Sequence, residues 1–572
     1  MKFLIKRIYI IFLILNVLFI NQNVFGKENI LKYSKEDVSN YFSGKLSSNL
    51  GYNDNAFNYF KKIKSIRKKH TQFNIEYINT LVLLNEFNKA FEHSRDIWKD
   101  EEFFFEADLL IGLNYFIKED YLSAEKYFRR LYKTSDQTSF KDSFVGNVLI
   151  AWNKASQGNK IDSFNFIKKI PRSFNRLANI QNIFLKCYFD EKEIGVMYKN
   201  LINNQEYNFS RYNFFLINFL LLNNKIKEAE ILVKERKKTY DSNLLLKQTD
   251  YFFLNQQSDK IKKFYNCKNP KDSLAELFYV IANLYSSEQD YEKSNFYLKI
   301  SLFLNDKFLS NKALLAENYF YQQKNEKAKK FYKSLKNIGP IYSWHSAKSI
   351  SSILFNNNKK VNAIKKIKKE FEIIPNKNYS HYYEFANINK DYENYEESIK
   401  YYSIALKEID EGNILIPKIL YRRGSSYERL GNWKNAEKDL KASLKISPEQ
   451  PHVLNYLAYS WIDKKINLDE GLVMLKKAIS LKENDGYIID SVGWAYYTKE
   501  EYSEAKKFLE QAVQLMPEDP TVNDHYADSL WMLGKKMQAR YIWKYVLSLE
   551  EIEEKMRENI NKKLAFGIKK NT

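Results

Sequence analysis

A chain of 572 residues exceeds the roughly 250–300 at which a single hydrophobic core stops growing, so one globular domain is excluded and several domains or a repeat array remain. Its 91 lysines and arginines against 70 aspartates and glutamates give a net charge of +21, spread along the chain rather than gathered into one nucleic-acid-binding face. With 2 cysteines in all, the fold must hold by packing and not as a disulfide scaffold.

At the N-terminus Lys2, Lys6 and Arg7 precede the apolar run Ile8 to Ile20, and a polar stretch ends in Val24, Phe25 and Gly26. This layout predicts a signal peptide over residues 1–26, cleaved between Gly26 and Lys27, and an exported, periplasmic chain. The apolar run is 13 residues long, short of the roughly 17–25 that cross a bilayer, so an uncleaved N-terminal membrane anchor is the alternative. No cysteine adjoins the cleavage point to accept a lipid. Cys187 and Cys267 stand 80 residues apart. In a stacked array about four helices, each roughly 8–10 Å across, would lie between them, which predicts no bridge.

The central signal is a repeat. Ile489, Val492, Gly493, Tyr496, Ala505, Leu509, Ala512 and Pro517 align with Leu420, Arg423, Gly424, Tyr427, Ala436, Leu440, Ser443 and Pro448. The small residue continues upstream through Ala56, Ala90, Ala124, Ser163, Ala229, Ser294, Ala328, Ala363 and Ser398, and downstream through Gly471 and Ala539. Two antiparallel helices approach closely only where a side chain is small, and aromatic residues at Phe87, Tyr121, Tyr291, Tyr395, Trp433 and Tyr502 are placed to open the second helix of each pair. Gly431 and Gly534 suit left-handed caps of first helices, and Pro340, Pro375, Pro448 and Pro517 are read as stops of second helices.

This pattern resembles the tetratricopeptide repeat, and the resemblance implies an all-α superhelical solenoid of about 14–15 helix-turn-helix repeats. The segments are a divergent N-terminal part (27–265), middle repeats (266–412), well-conforming repeats (413–548) and a charged C-terminal capping helix (549–572). In such an array each helix pair touches only its neighbours, and the concave surface binds peptides or protein partners.

Within the first helices of the last repeats, a second stripe lies beside the set that packing consumes. Asp490, Trp494 and Tyr497 stand at i, i+4 and i+7, with Asn455, Tyr459 and Ile462 before them and Asp524, Asp528 and Trp531 after. The resemblance implies that this stripe faces the groove, which makes Asn455, Tyr459, Asp490, Trp494, Tyr497, Asp524, Asp528 and Trp531 the candidate partner-binding residues. The packing alternative is that the aspartates serve helix dipoles and the tryptophans fill space between units.

The runs NYLAYS, DSVGWAYY and NDHYAD within residues 452–547 are similar to the C-terminal repeats of a group of proteobacterial envelope proteins, among them a lipoprotein adaptor of a periplasmic carboxyl-terminal processing protease. The resemblance implies protein partners in the envelope, that protease included. Asp490, Asp524, Asp528 and His525 are the one constellation that suggests acid/base or metal chemistry, but Asp524 and His525 are sequential and point apart on a helix. With no phosphate loop, nucleophile elbow or HExxH motif, the sequence predicts a non-catalytic protein without cofactor, metal or nucleic-acid partner. The basic tracts 61–70 and 359–371 support the alternative of a binder of anionic lipid or wall polymer, with contact to the membrane surface.

Overall fold

The computed structural model describes residues 34–63, 70–99, 103–131, 144–204, 208–236, 243–549 and 552–568. The expected signal peptide and most of the basic tract 61–70 lie outside these residues. Among the described residues there are 31 α-helices and no strand, and none is long and apolar enough to cross a membrane. The all-α repeat architecture read from the sequence is therefore the observed one. The chain divides into two compact units, one through Ile353 and one from Leu354.

Six second helices begin at the aromatic residue that the pattern named: Phe87–Lys99, Tyr121–Leu131, Tyr291–Leu304, Tyr395–Glu408, Trp433–Ile446 and Tyr502–Leu515. Each follows a tight turn through a left-handed residue. Gly431 and Gly534 take that conformation as expected, with φ of 76° and 79°. Asn85, Glu119, Gln289, Lys465 and Glu500 take it elsewhere. The turn closes on a 6→1 hydrogen bond, as in Asn432 N to Tyr427 O (2.9 Å) and Glu501 N to Tyr496 O (2.9 Å). Pro375, Pro448 and Pro517 follow the ends of second helices, whereas Pro340 opens the next helix, Pro340–Asn356. There its missing N–H falls where no intrahelical partner exists.

In the first unit the chain departs from two expectations. Cys187 and Cys267 form a disulfide, with Cα atoms 5.9 Å apart. The expectation failed because it counted helices as if they were stacked in line. Between the two cysteines the pairs are short, down to the five-residue helix Ser258–Lys262, and the chain turns back on itself. Phe184 meets Phe215 (5.1 Å) and Tyr265 (5.4 Å) in one core, and Lys268 Nζ donates to Tyr188 O (2.9 Å).

The second departure is that helix pairs distant in sequence touch. Phe87 stacks on Phe303 with ring centres 4.1 Å apart, Lys299 Nζ donates to Asn85 Oδ1 at 3.0 Å, and Lys327 Nζ donates to Gly51 O. These contacts bring the first pairs back against residues 291–335. Arg211 adds a further long-range link: its guanidinium donates to both carboxylate oxygens of Glu276 (3.0 and 2.8 Å) and to Ser310 Oγ (2.9 Å), 4.1 Å over the Tyr279 ring.

The second unit stacks regular pairs: Tyr379–Asp391 with Tyr395–Glu408, Ile416–Arg429 with Trp433–Ile446, Pro451–Asp463 with Leu468–Leu481, Gly486–Thr498 with Tyr502–Leu515, and Pro520–Met532 with Lys536–Ser548, closed by Glu554–Phe566. The small residues sit at the crossings as predicted, with Ala436, Ala505 and Ala539 fully buried. At Gly493 a Cβ would come 2.6 Å from Leu509 Cγ, so the close approach of that pair depends on the missing side chain. Helix Lys360–Glu372, from the second basic tract, buries Ala363, Ile367 and Phe371 and leaves Lys365, Lys368 and Lys369 exposed. Its apolar side is thus taken up by the stack.

Candidate functional site

The candidate residues lie on first helices of consecutive pairs in the second unit, and side chains bridge those helices directly. His525, on Pro520–Met532, places Nδ1 3.0 Å from both carboxylate oxygens of Asp490, on Gly486–Thr498. The imidazole lies flat on the Trp494 indole, with ring centres 4.0 Å apart. Trp494 in turn stacks on Tyr497 at 4.6 Å. One helix further on, Lys563 of Glu554–Phe566 donates to both oxygens of Asp524 and both of Asp528, each at 2.8 Å. Trp543 Nε1 completes this corner with a 3.2 Å hydrogen bond to Asp528 Oδ1.

Asp490, Asp524 and Asp528 are accordingly buried and held by internal partners. The aromatic members of the stripe, Tyr459, Trp494, Tyr497 and Trp531, are half-buried. Trp531 Nε1 donates to Ile568 O at 3.1 Å, and its ring packs on Trp543, 5.3 Å between centres. Burial, with the charges of Asp490 and Asp463 behind it, pushes the Tyr459 hydroxyl up to about 12. Asn455 Oδ1 is buried and has no donor among the described residues.

His525, which the sequence groups with the three aspartates, and Lys563, which it does not, hold the stripe together. Both were readable from one signal. His525 stands 35 residues after Asp490, and Lys563 stands 35 residues after Asp528. That is one repeat period for Asp490 and Asp528, and Asp524 reaches the same Lys563 from 39 residues away. Charge complementarity at the repeat spacing is the sheet-like cross-strand rule transferred to a solenoid: a neighbour in space is a neighbour one period away.

The electrostatics follow from burial. Desolvation works against a charged His525 ring, but the charge and hydrogen bond of Asp490, with Asp524 and Asp528 nearby, hold its pKa above the ordinary histidine value. Desolvation and the Asp524 charge push Asp528 up to about 7, against the pull of Lys563 and His525. Both groups bind their protons more tightly in the folded chain than in the unfolded one, so stability here falls as pH rises. The Asp528 contribution is lost between the ordinary carboxylate range and about 7, and the His525 contribution as pH passes its raised value. Amide exchange in Pro520–Met532, corrected for its intrinsic rate, should therefore be faster at about pH 8 than at about pH 6. Asp528→Asn together with His525→Gln should remove the difference.

As chemistry, the Asp490 and His525 pair has the geometry of an oriented base. It is walled in by Trp494, and among the described residues its hydrogen-bond partners include no serine, cysteine or threonine. Among the described residues no group of three histidine, cysteine or carboxylate side chains is placed to hold a metal ion. The cluster reads as a set of links that lock the register of three first helices.

The tetratricopeptide repeat family model matches residues 417–450 and 491–519. The chain carries tetratricopeptide repeats. A TPR repeat-containing protein of Pseudomonas aeruginosa is 31% identical over 117 residues, which is 20% of this chain and 20% of that protein. The chain thus spans about a fifth of the length of that curated relative. Among solved structures, a tetratricopeptide repeat protein from Parabacteroides merdae aligns over 39% of this chain and 86% of its own (21% identity, TM-score 0.32). Yeast Tom70 aligns over 79% and 93% (17% identity, TM-score 0.35). Repeats of this kind make surfaces for protein partners, generally without catalysis.

Proposed function

We propose that this protein is an exported, non-catalytic tetratricopeptide repeat scaffold of the cell envelope. In this reading its second unit holds protein partners and presents them to a periplasmic carboxyl-terminal processing protease. The observation that carries the reading is the row of half-buried aromatics, Tyr459, Trp494, Tyr497 and Trp531, on consecutive first helices. Their neighbours Asp490, Asp524 and Asp528 are already satisfied by His525 and Lys563. The row is therefore rigid before any partner arrives, and binding costs little ordering of side chains.

Export has two supports. One is the basic and apolar layout of residues 1–26. The other is the Cys187–Cys267 disulfide, a bond that persists in oxidising compartments and is rare in the cytosol. The adaptor role rests on the runs NYLAYS, DSVGWAYY and NDHYAD and is tested by reconstitution. Purified protein added to a carboxyl-terminal processing protease is expected to speed cleavage of its envelope substrates, and Tyr459→Ala with Trp494→Ala to reduce that gain by about tenfold. Cleavage at the same rate with and without the protein would remove the adaptor role.

A further inference from the structure

The first unit contains a recess of about 770 Å³ that differs in character from the stripe of the second. Its apolar wall is formed by Trp98, Tyr127, Ile150 and Phe166, drawn from four helices of three consecutive pairs. Tyr127 and Phe166 are each 9% exposed, so the rings lie at the bottom and not on the surface. Four cations stand around them, Lys126, Arg129, Arg130 and Lys169.

Among the described residues these cations outnumber the carboxylates that pair with them. Arg130 Nε lies 3.1 Å from Asp108. Arg129 lies 2.6 Å from Glu125, which also takes Lys154 at 2.8 Å. Among the described residues Lys126 and Lys169 have no carboxylate partner and rest on ring faces, Lys126 4.5 Å over Trp98 and Lys169 4.3 Å over Phe166. Burial pushes Asp108 up to about 7 against the pull of Arg130, so at neutral pH it returns only part of a negative charge. Among the described residues the recess therefore carries an excess of positive charge over an aromatic floor.

We propose that this recess is a docking site for an acidic peptide segment, in which carboxylate side chains flank an apolar one. The carboxylates would pair with Lys126 and Lys169, and the apolar side chain would cover Phe166 and Trp98. A cation already desolvated on one side by a ring gains more from a carboxylate than a fully hydrated one does. The recessed rings favour a peptide over a bilayer, because a membrane surface reaches protruding apolar side chains and not a floor beneath lysines. This site is independent of the aromatic row of the second unit and of the protease reading.

The test uses the purified protein and a fluorescein-labelled peptide of sequence Glu-Asp-Phe-Asp-Glu, with Gln-Asn-Phe-Asn-Gln as its uncharged isostere, followed by anisotropy. The acidic peptide is expected to bind, to weaken steeply with added salt, and to lose about tenfold or more in affinity in Lys126→Glu with Lys169→Glu. Both lysines are exposed, so helical content should be unchanged in the variant. Equal binding of the two peptides, undiminished binding by the charge-reversed variant, or no binding of the acidic peptide would overturn the proposal. So would displacement of the peptide by phosphatidylglycerol vesicles or a single-stranded oligonucleotide with higher affinity than an unlabelled copy of the peptide.

Discussion

Replacing Lys563 by methionine is expected to destabilise the C-terminal end of the second unit by about 3–5 kcal/mol, the cost of leaving buried charge without its partner. Lys563 is the shared counter-ion of Asp524 and Asp528, 2.8 Å from each, and the two carboxylates are 6% and 5% exposed. Without the ammonium they repel one another in a poorly solvated corner, and methionine restores the stem's packing but not the charge. The effect should stay local, because repeats exchange energy mainly with their neighbours. Trp543, fully buried and bonded to Asp528, reports on the site directly. Urea unfolding followed by tryptophan fluorescence should show an early transition in the variant. Asp524→Asn and Asp528→Asn in the same chain should recover most of the loss, since the three residues act as one unit. A Lys563→Met variant as stable as the parent would mean that the corner is hydrated and the ion triad contributes nothing.

Opening the Cys187–Cys267 bond is expected to cost the first unit about 4.5 kcal/mol in the chain-entropy model. The two residues are separated by 80 positions, a long loop to set free in the unfolded chain. Cys187 and Cys267 are 3% and 6% exposed, so a reductant acts slowly unless the unit first opens. Thermal or urea unfolding of Cys187→Ala with Cys267→Ala should therefore show a lowered transition for the first unit. The fluorescence change at Trp543 should keep its midpoint. A shift in both, or in neither, would contradict the account of two units stabilised separately.

The periodic parts of this fold were legible because the physics that builds them is local. A small residue at a helix crossing and an aromatic at a helix start impose themselves in every repeat, so Ala436, Ala505 and Tyr502 could be placed from spacing alone. Cys187 and Cys267 were misread for the opposite reason. Their proximity depends on how short, irregular pairs such as the one containing Ser258–Lys262 turn the chain back, and no spacing rule records a direction. The contacts of Phe87 with Phe303 and of Lys327 with Gly51 are hidden likewise. They join residues far apart in sequence, and no local pattern records them.

The stripe lies between these cases. Its members share one register, as the i, i+4, i+7 pattern required: Trp494 stacks on Tyr497, and Asp490 and Trp494 both meet His525. His525 was legible as part of one constellation with the three aspartates, set aside because Asp524 and His525 are sequential and point apart on a helix; Lys563 was not part of it. His525 and Lys563 are the bases that take up the three aspartates. In the proposed function the aromatic row is left for a partner.

The most direct test of the scaffold account is to place a photo-activated cross-linking amino acid at Tyr459 or Tyr497 and irradiate intact cells. The account predicts a discrete protein adduct from each of these positions and none from Tyr541, an outward residue 74% exposed on the second helix of its pair. Adducts that form from Tyr541 but not from Tyr459 or Tyr497 would show that partners dock elsewhere and that the aromatic row is packing alone.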